Sequence, residues 1–147
     1  MFFAPVPQNE CTETTAAMRK MQPDTSVLPD EDLNRIGSYI DAASKASGIS
    51  QEMIIVMAYG ESRLVPSVTN LMQISETWYK NERAPVYCRL ARKSQYASIK
   101  CGAYVLNECK KRFDGESLYL CWSGFHISDK QAFLERIKKR WQKLLEA

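Results

Sequence analysis

The chain is 147 residues long, which fits one domain and allows a substantial buried core. Apolar residues make up 45% and charged residues 25%, ordinary for a soluble globular protein. The formal net charge of +3 is too small to argue for a nucleic-acid partner, and no stretch approaches the roughly 18–20 apolar residues that a membrane crossing needs.

Residues 1–28, with Pro5, Pro7, Pro23 and a middle rich in Thr and Ser, read as an irregular N-terminal arm. The first eleven residues carry no basic cluster and no long apolar run, so a secretory leader is not expected there. From residue 29 to 147, helix follows helix, and a single, mainly α domain is expected. Pro29-Asp30 opens a helix with Leu33, Ile36, Ile40 and Ala43 on one face, closed by Gly48. Ser50 caps a second helix through Met53, Ile54, Met57 and Ala58, apolar nearly all round and therefore buried. Pro66 ends any continuation, and residues 64–93 are loop-rich, with a short helix after Ser75.

A third long helix is expected from Ser94 to Phe113, with Tyr96, Ile99, Ala103, Leu106 and Phe113 facing inward and Asp114-Gly115 stopping it. Residues 117–122 suit another buried turn or two. Ser128 and Gln131 read as a capping box for a last helix, in which Phe133, Ile137, Trp141 and Leu144 form a stripe. Lys138, Lys139, Arg140 and Lys143 are then its wet face.

Chemistry concentrates between Ile54 and Tyr79. Glu61-Ser62-Arg63 falls at the end of the apolar second helix, and Leu71-Met72-Gln73-Ile74 follows in an uncharged loop. A carboxyl in apolar surroundings holds its proton to higher pH than in water, which suits it to protonate a leaving group. Between Arg63 and Ser75 there is no other acid; Glu76 and Glu82 lie on a segment expected to be exposed.

The five cysteines, Cys11, Cys88, Cys101, Cys109 and Cys121, form no metal pattern, and His126 is the only histidine, so neither a metal nor another cofactor is expected. Cys101 and Cys109 share a helix about 12 Å apart and cannot bridge each other. Buried free thiols are the expected state, with bridges to other segments the alternative in an oxidising compartment; an odd count leaves at least one thiol over. His126 reads as a loop residue without catalytic duty.

The order Glu61-Ser62-Arg63, Leu71-Met72-Gln73-Ile74, Gly102-Ala103-Tyr104-Val105-Leu106 and Trp122-Ser123-Gly124 resembles the lytic transglycosylase domain of the soluble, goose-lysozyme-like group. In that family the motifs read E-S-x-F, G-L-M-Q, G-x-x-Y-L and Y-N-A-G, and the likeness covers about residues 33–125. Three departures stand out. Asn70 replaces the glycine before L-M-Q and, as an asparagine, can still take a left-handed backbone there. The loop after the E-S motif is shorter than usual, trimming one wall of the groove. Cys121 stands where the family has the tyrosine that helps hold the catalytic glutamate.

The resemblance implies a lysozyme-like helical domain that cuts the β-1,4 link between N-acetylmuramic acid and N-acetylglucosamine in peptidoglycan strands, without cofactor. Glu61 would be acid and then base, with the C6 hydroxyl closing on C1 to leave a 1,6-anhydro end. Met72 and Gln73 would line the groove, Ser62 and Tyr104 would sit beside Glu61, and Trp122 would offer a flat face to a sugar. Tyr104 or Tyr119 would replace the missing tyrosine. Two rival readings are a goose-type muramidase, which needs a second carboxylate across the groove, and a non-catalytic wall-binding or structural component with a decayed site. The place of action would be the bacterial cell wall or periplasm. Without a leader, delivery would fall to a bacteriophage particle or a specialised secretion machinery.

Overall fold

A computed structural model describes residues 13–23, 28–124 and 127–146. Among the described residues there are eight helices and no strand: α1 Glu13–Met21, α2 Asp30–Ser47, α3 Gln51–Ser62, α4 Glu76–Tyr79, α5 Val86–Arg89, α6 Gln95–Lys110, α7 Gly115–Trp122 and α8 Lys130–Leu145. None is long and apolar enough to cross a membrane.

Helix α2 forms where the periodicity places it. Asp30, Glu31 and Asp32 sit in its first turn, where the helix dipole favours anions, and Leu33, Ile36, Ile40 and Ala43 are buried. Gly48, at φ 79°, takes the left-handed position at its end and donates its N–H to the Ser44 carbonyl. Ser50 caps α3 by accepting from the Met53 N–H at 3.2 Å, and Ile54 through Ala58 are all buried.

Helix α6 packs against α2, α3, α5 and α7 at once, which explains the buried face from Ala97 to Cys109. Ser94 caps it as expected, accepting from the Ala97 N–H. Tyr96 is not inward: it is exposed and stacks on Tyr39 with ring centroids 5.2 Å apart. Asp114 stands at the N-cap position of α7 without a side-chain capping bond, so Asp114-Gly115 joins two helices as well as ending one. The cap of α8 is Asp129, whose carboxylate accepts from the Ala132 N–H at 3.0 Å, not the Ser128–Gln131 box. Asp129 and Ala132 have the same three-residue spacing, one step on.

Two expectations are overturned. Residues 1–28 are not irregular throughout. Helix α1 lies within them and packs on α2, α3 and α8, placing Met18 and Met21 in the core. Thr14 and Thr15 are buried with them, and the Thr14 hydroxyl donates to Asp41, so the Thr-rich middle is satisfied inside a helix contact. The cysteines are not free thiols: Cys88–Cys101 joins α5 to α6, and Cys109–Cys121 joins α6 to α7. Cys101 and Cys109 do share a helix without bridging each other; each is buried on a face that meets a different neighbour. Cys11 and His126 lie outside the described residues.

Candidate active site

Glu61 stands in the last turn of α3, behind the buried run Ile54–Ala58. The chain then turns sharply away. Arg63 and Leu64 both adopt positive φ, at 59° and 55°, and Leu64 is driven into the core. Ser62 stabilises this exit: its hydroxyl donates to the Ala58 carbonyl at 3.1 Å and accepts from the Leu64 N–H at 3.2 Å. Its role is local capping, with both partners in the backbone.

The facing loop is held by Asn70. Its side-chain oxygen accepts from the Ile74 N–H at 2.9 Å and from the Ser98 hydroxyl at 2.7 Å, while its amide donates to the Ile74 carbonyl at 3.1 Å. Ser98, fully buried on α6, also accepts from the Met72 N–H at 3.0 Å. Asn70 does not take the left-handed backbone open to it. Gln73 does, at φ 49°, with its amide donating to the Asn70 carbonyl at 2.8 Å. Asn70 thus serves through its side chain, and the left-handed turn falls three residues later.

Between α3 and this loop opens a cleft of about 200 Å³. Glu61, Gln73, Trp78, Val105, Trp122 and Phe133 line it, with Ile74, Ser75, Ser123 and Ile127. The Glu61 side chain is exposed to solvent at the mouth of the cleft, with protein crowded behind it. The Trp122 indole N–H donates to Glu61 Oε1 at 3.1 Å. Burial pushes the Glu61 carboxyl above its ordinary value, against the Trp122 hydrogen bond and the positive charge of Arg140, which both pull it down. Among the described residues, Glu61 is the one carboxylate lining this cleft. The next acid along, Glu76, is exposed and paired with Lys80 on α4.

Of the expected site residues, Glu61, Gln73 and Trp122 come together here. Met72 does not line the cleft. It is fully buried against Gly102, where an added Cβ would lie 2.5 Å from Met72 Cε and 2.7 Å from its Cγ. Tyr104 is turned away from Glu61 into a separate hollow with Tyr87, Lys100 and Asn107, its ring edge-on to Trp78 at 5.9 Å. The physical reason is helical phase. In G-x-x-Y-L the tyrosine falls three residues after the glycine, which here is Val105, and Val105 does face the cleft. A one-residue offset rotates a helical side chain by about 100°. Tyr119 is also elsewhere, its hydroxyl accepting from the Trp141 indole at 2.8 Å between α7 and α8.

Neither tyrosine is therefore placed as the resemblance implied; Trp122, next to Cys121, donates to the Glu61 carboxyl instead. Arg140 is not on the wet face of α8 but half-buried against the end of α3, where a Cβ on Gly60 would lie 2.4 Å from its Nη1. Trp78, Phe133 and Arg140 were not legible as site residues; the apolar stripe of α8 was the one available signal for Phe133. No three His, Cys, Asp or Glu side chains group as metal ligands among the described residues. No family model, curated protein or solved structure matches the chain.

Proposed function

We propose that the protein cleaves peptidoglycan glycan strands as a lytic transglycosylase, with Glu61 as the single acid–base group. The observation that carries this reading is Glu61 itself: a carboxyl with raised proton affinity, oriented by the Trp122 indole, in a cleft walled by two tryptophans. Aromatic faces suit the apolar faces of sugar rings, and Gln73 offers an amide to acetamido or hydroxyl groups.

In the proposed reaction the protonated Glu61 gives its proton to the glycosidic oxygen as the C1–O bond of the muramoyl sugar breaks. The substrate's acetamido group assists by meeting the charge that develops at C1. The Glu61 carboxylate then takes the proton of the C6 hydroxyl, whose oxygen bonds to C1. The product is a 1,6-anhydro end, water is not consumed, and Glu61 returns to its starting form. One carboxylate in the cleft favours this internal nucleophile over the muramidase rival, which needs a second acid to activate water.

The two disulfides support a site of action in an oxidising compartment such as the periplasm or the cell-wall space. Incubation with purified sacculi under non-reducing conditions tests the reading. Release of soluble muropeptides is expected, and binding without release would favour the non-catalytic wall-binding alternative.

A further inference from the structure

Helix α8 carries charged groups that lead away from the cleft. Phe133 lines the cleft, and Arg136 and Arg140 follow three and seven residues on, along the same side of the helix. Arg140 crosses over Gly60 at the end of α3, filling the space a side chain there would need. Arg63 flanks the same point. Its guanidinium lies over the Tyr59 ring at 5.2 Å and donates to the Tyr59 carbonyl at 3.2 Å. Burial, and then repulsion from Arg63 and Arg136, hold the Arg140 guanidinium below its ordinary value, while Glu61 acts the other way. Among the described residues, ion pairs form at Arg19, Arg35, Lys80 and Lys111, and at none of these three arginines. A partly desolvated cation set among like charges is costly until an anion joins it, and guanidinium forks match carboxylates in shape.

We propose that Arg63, Arg136 and Arg140 form a carboxylate-binding site beside the cleft, taking the acidic peptide branches of a strand whose sugars occupy the cleft. This deepens the glycan-cleaving reading and rests on it. From Phe133 to Arg140 the helix advances about 10 Å, within reach of a short peptide branching from a bound sugar. Where a muramoyl sugar has lost its peptide, the freed lactyl carboxylate is a second source of the same chemistry.

The test is co-sedimentation of Glu61→Gln protein with three preparations. These are native sacculi, sacculi whose carboxylates have been converted to amides with carbodiimide and ammonia, and strands stripped of peptide by an amidase, which carry only the lactyl carboxylates it frees. Native sacculi should bind about tenfold more tightly than amidated ones, and added salt should narrow the gap. Stripped strands should bind like amidated sacculi; if they bind like native ones, the peptide assignment is wrong. Arg140→Gln also disturbs the packing at Gly60, so the exposed pair Arg63→Gln/Arg136→Gln carries the argument. In that background the native-to-amidated gap should largely close. An undiminished gap there, equal binding of native and amidated sacculi, or no binding to any preparation would overturn the site. If the parent cleaves no sacculus while carboxylate dependence persists, the catalytic reading fails and the anion site stands.

Discussion

The indole N–H of Trp122 reaches Glu61 Oε1 at 3.1 Å across 61 residues of chain, joining the end of α7 to the end of α3. The contact couples two elements that sequence places far apart. A donor to one oxygen both fixes the carboxyl plane and favours its charged form, in opposition to burial.

Trp122→Phe keeps an aromatic ring and removes the donor. The proposed cycle begins with Glu61 protonated, so activity should fall as pH rises through its pKa. Losing the N–H removes a pull toward lower pKa, and the alkaline limb of the pH–rate profile should move to higher pH. The maximal rate should drop by about 10–100-fold, matching the roughly 1.5–3 kcal/mol of a hydrogen bond to a charged group. Measured pH–rate profiles of parent and variant check both effects; unchanged profiles would remove Trp122 from the site.

The bridge Cys109–Cys121 ends one residue before Trp122, so it anchors the strut that holds Glu61. Replacing both cysteines by serine should lower stability by about 2–4 kcal/mol, as expected for opening a short covalent loop. Activity measured well below the melting temperature should fall as well, because the end of α7 is no longer tied to α6. Thermal melts and sacculus assays, each with and without a thiol reductant, separate the two. A parent protein indifferent to reductant in both would show that packing alone holds α7.

Gly102 meets Met72 so closely that a Cβ would press on Met72 Cβ at 3.0 Å as well as on atoms further along that side chain. Gly102→Ala should cost about 1–3 kcal/mol through overpacking, and it should shift the loop that carries Gln73. Ser98→Ala works on the same loop from below, stripping Asn70 and the Met72 N–H of a buried partner at a cost of about 1–3 kcal/mol. Chemical denaturation of both variants checks these figures; changes under about 0.5 kcal/mol, the range of an unremarkable surface substitution, would mean the loop is held by other contacts.

The long helices α2, α6 and α8 were legible because each pairs an apolar period with a capping residue or a glycine stop, and α3 because an unbroken apolar run follows the Ser50 cap. Helix α1 was not, since its Thr14 and Thr15 read as loop-forming and find their places only against α2. The disulfides were hidden for a related reason: partner choice depends on which faces of α6 meet α5 and α7. At the site, Glu61 was visible from its place behind the apolar run of α3, and Gln73 and Trp122 only through the resemblance. Tyr104 was misplaced by one step of helical phase, and Met72 by the glycine that draws it inward. Arg140 looked solvated because its neighbours on α8 are, and only the empty side of Gly60 explains its burial.

The most direct test of the central claim is mass spectrometry of muropeptides released from sacculi by the parent protein and by Glu61→Gln. The Gln side chain keeps the shape and an acceptor for the Trp122 N–H but cannot give or take the proton. It also removes a carboxylate that is held against burial, so above the ordinary carboxylate range the variant should fold at least as stably as the parent. The account predicts fragments with 1,6-anhydro ends from the parent and a loss of about 10²–10⁴-fold in their release by Glu61→Gln. Reducing muramic acid ends from the parent would reassign the reaction to hydrolysis, and release by Glu61→Gln at the parent rate would contradict the assignment of Glu61 altogether.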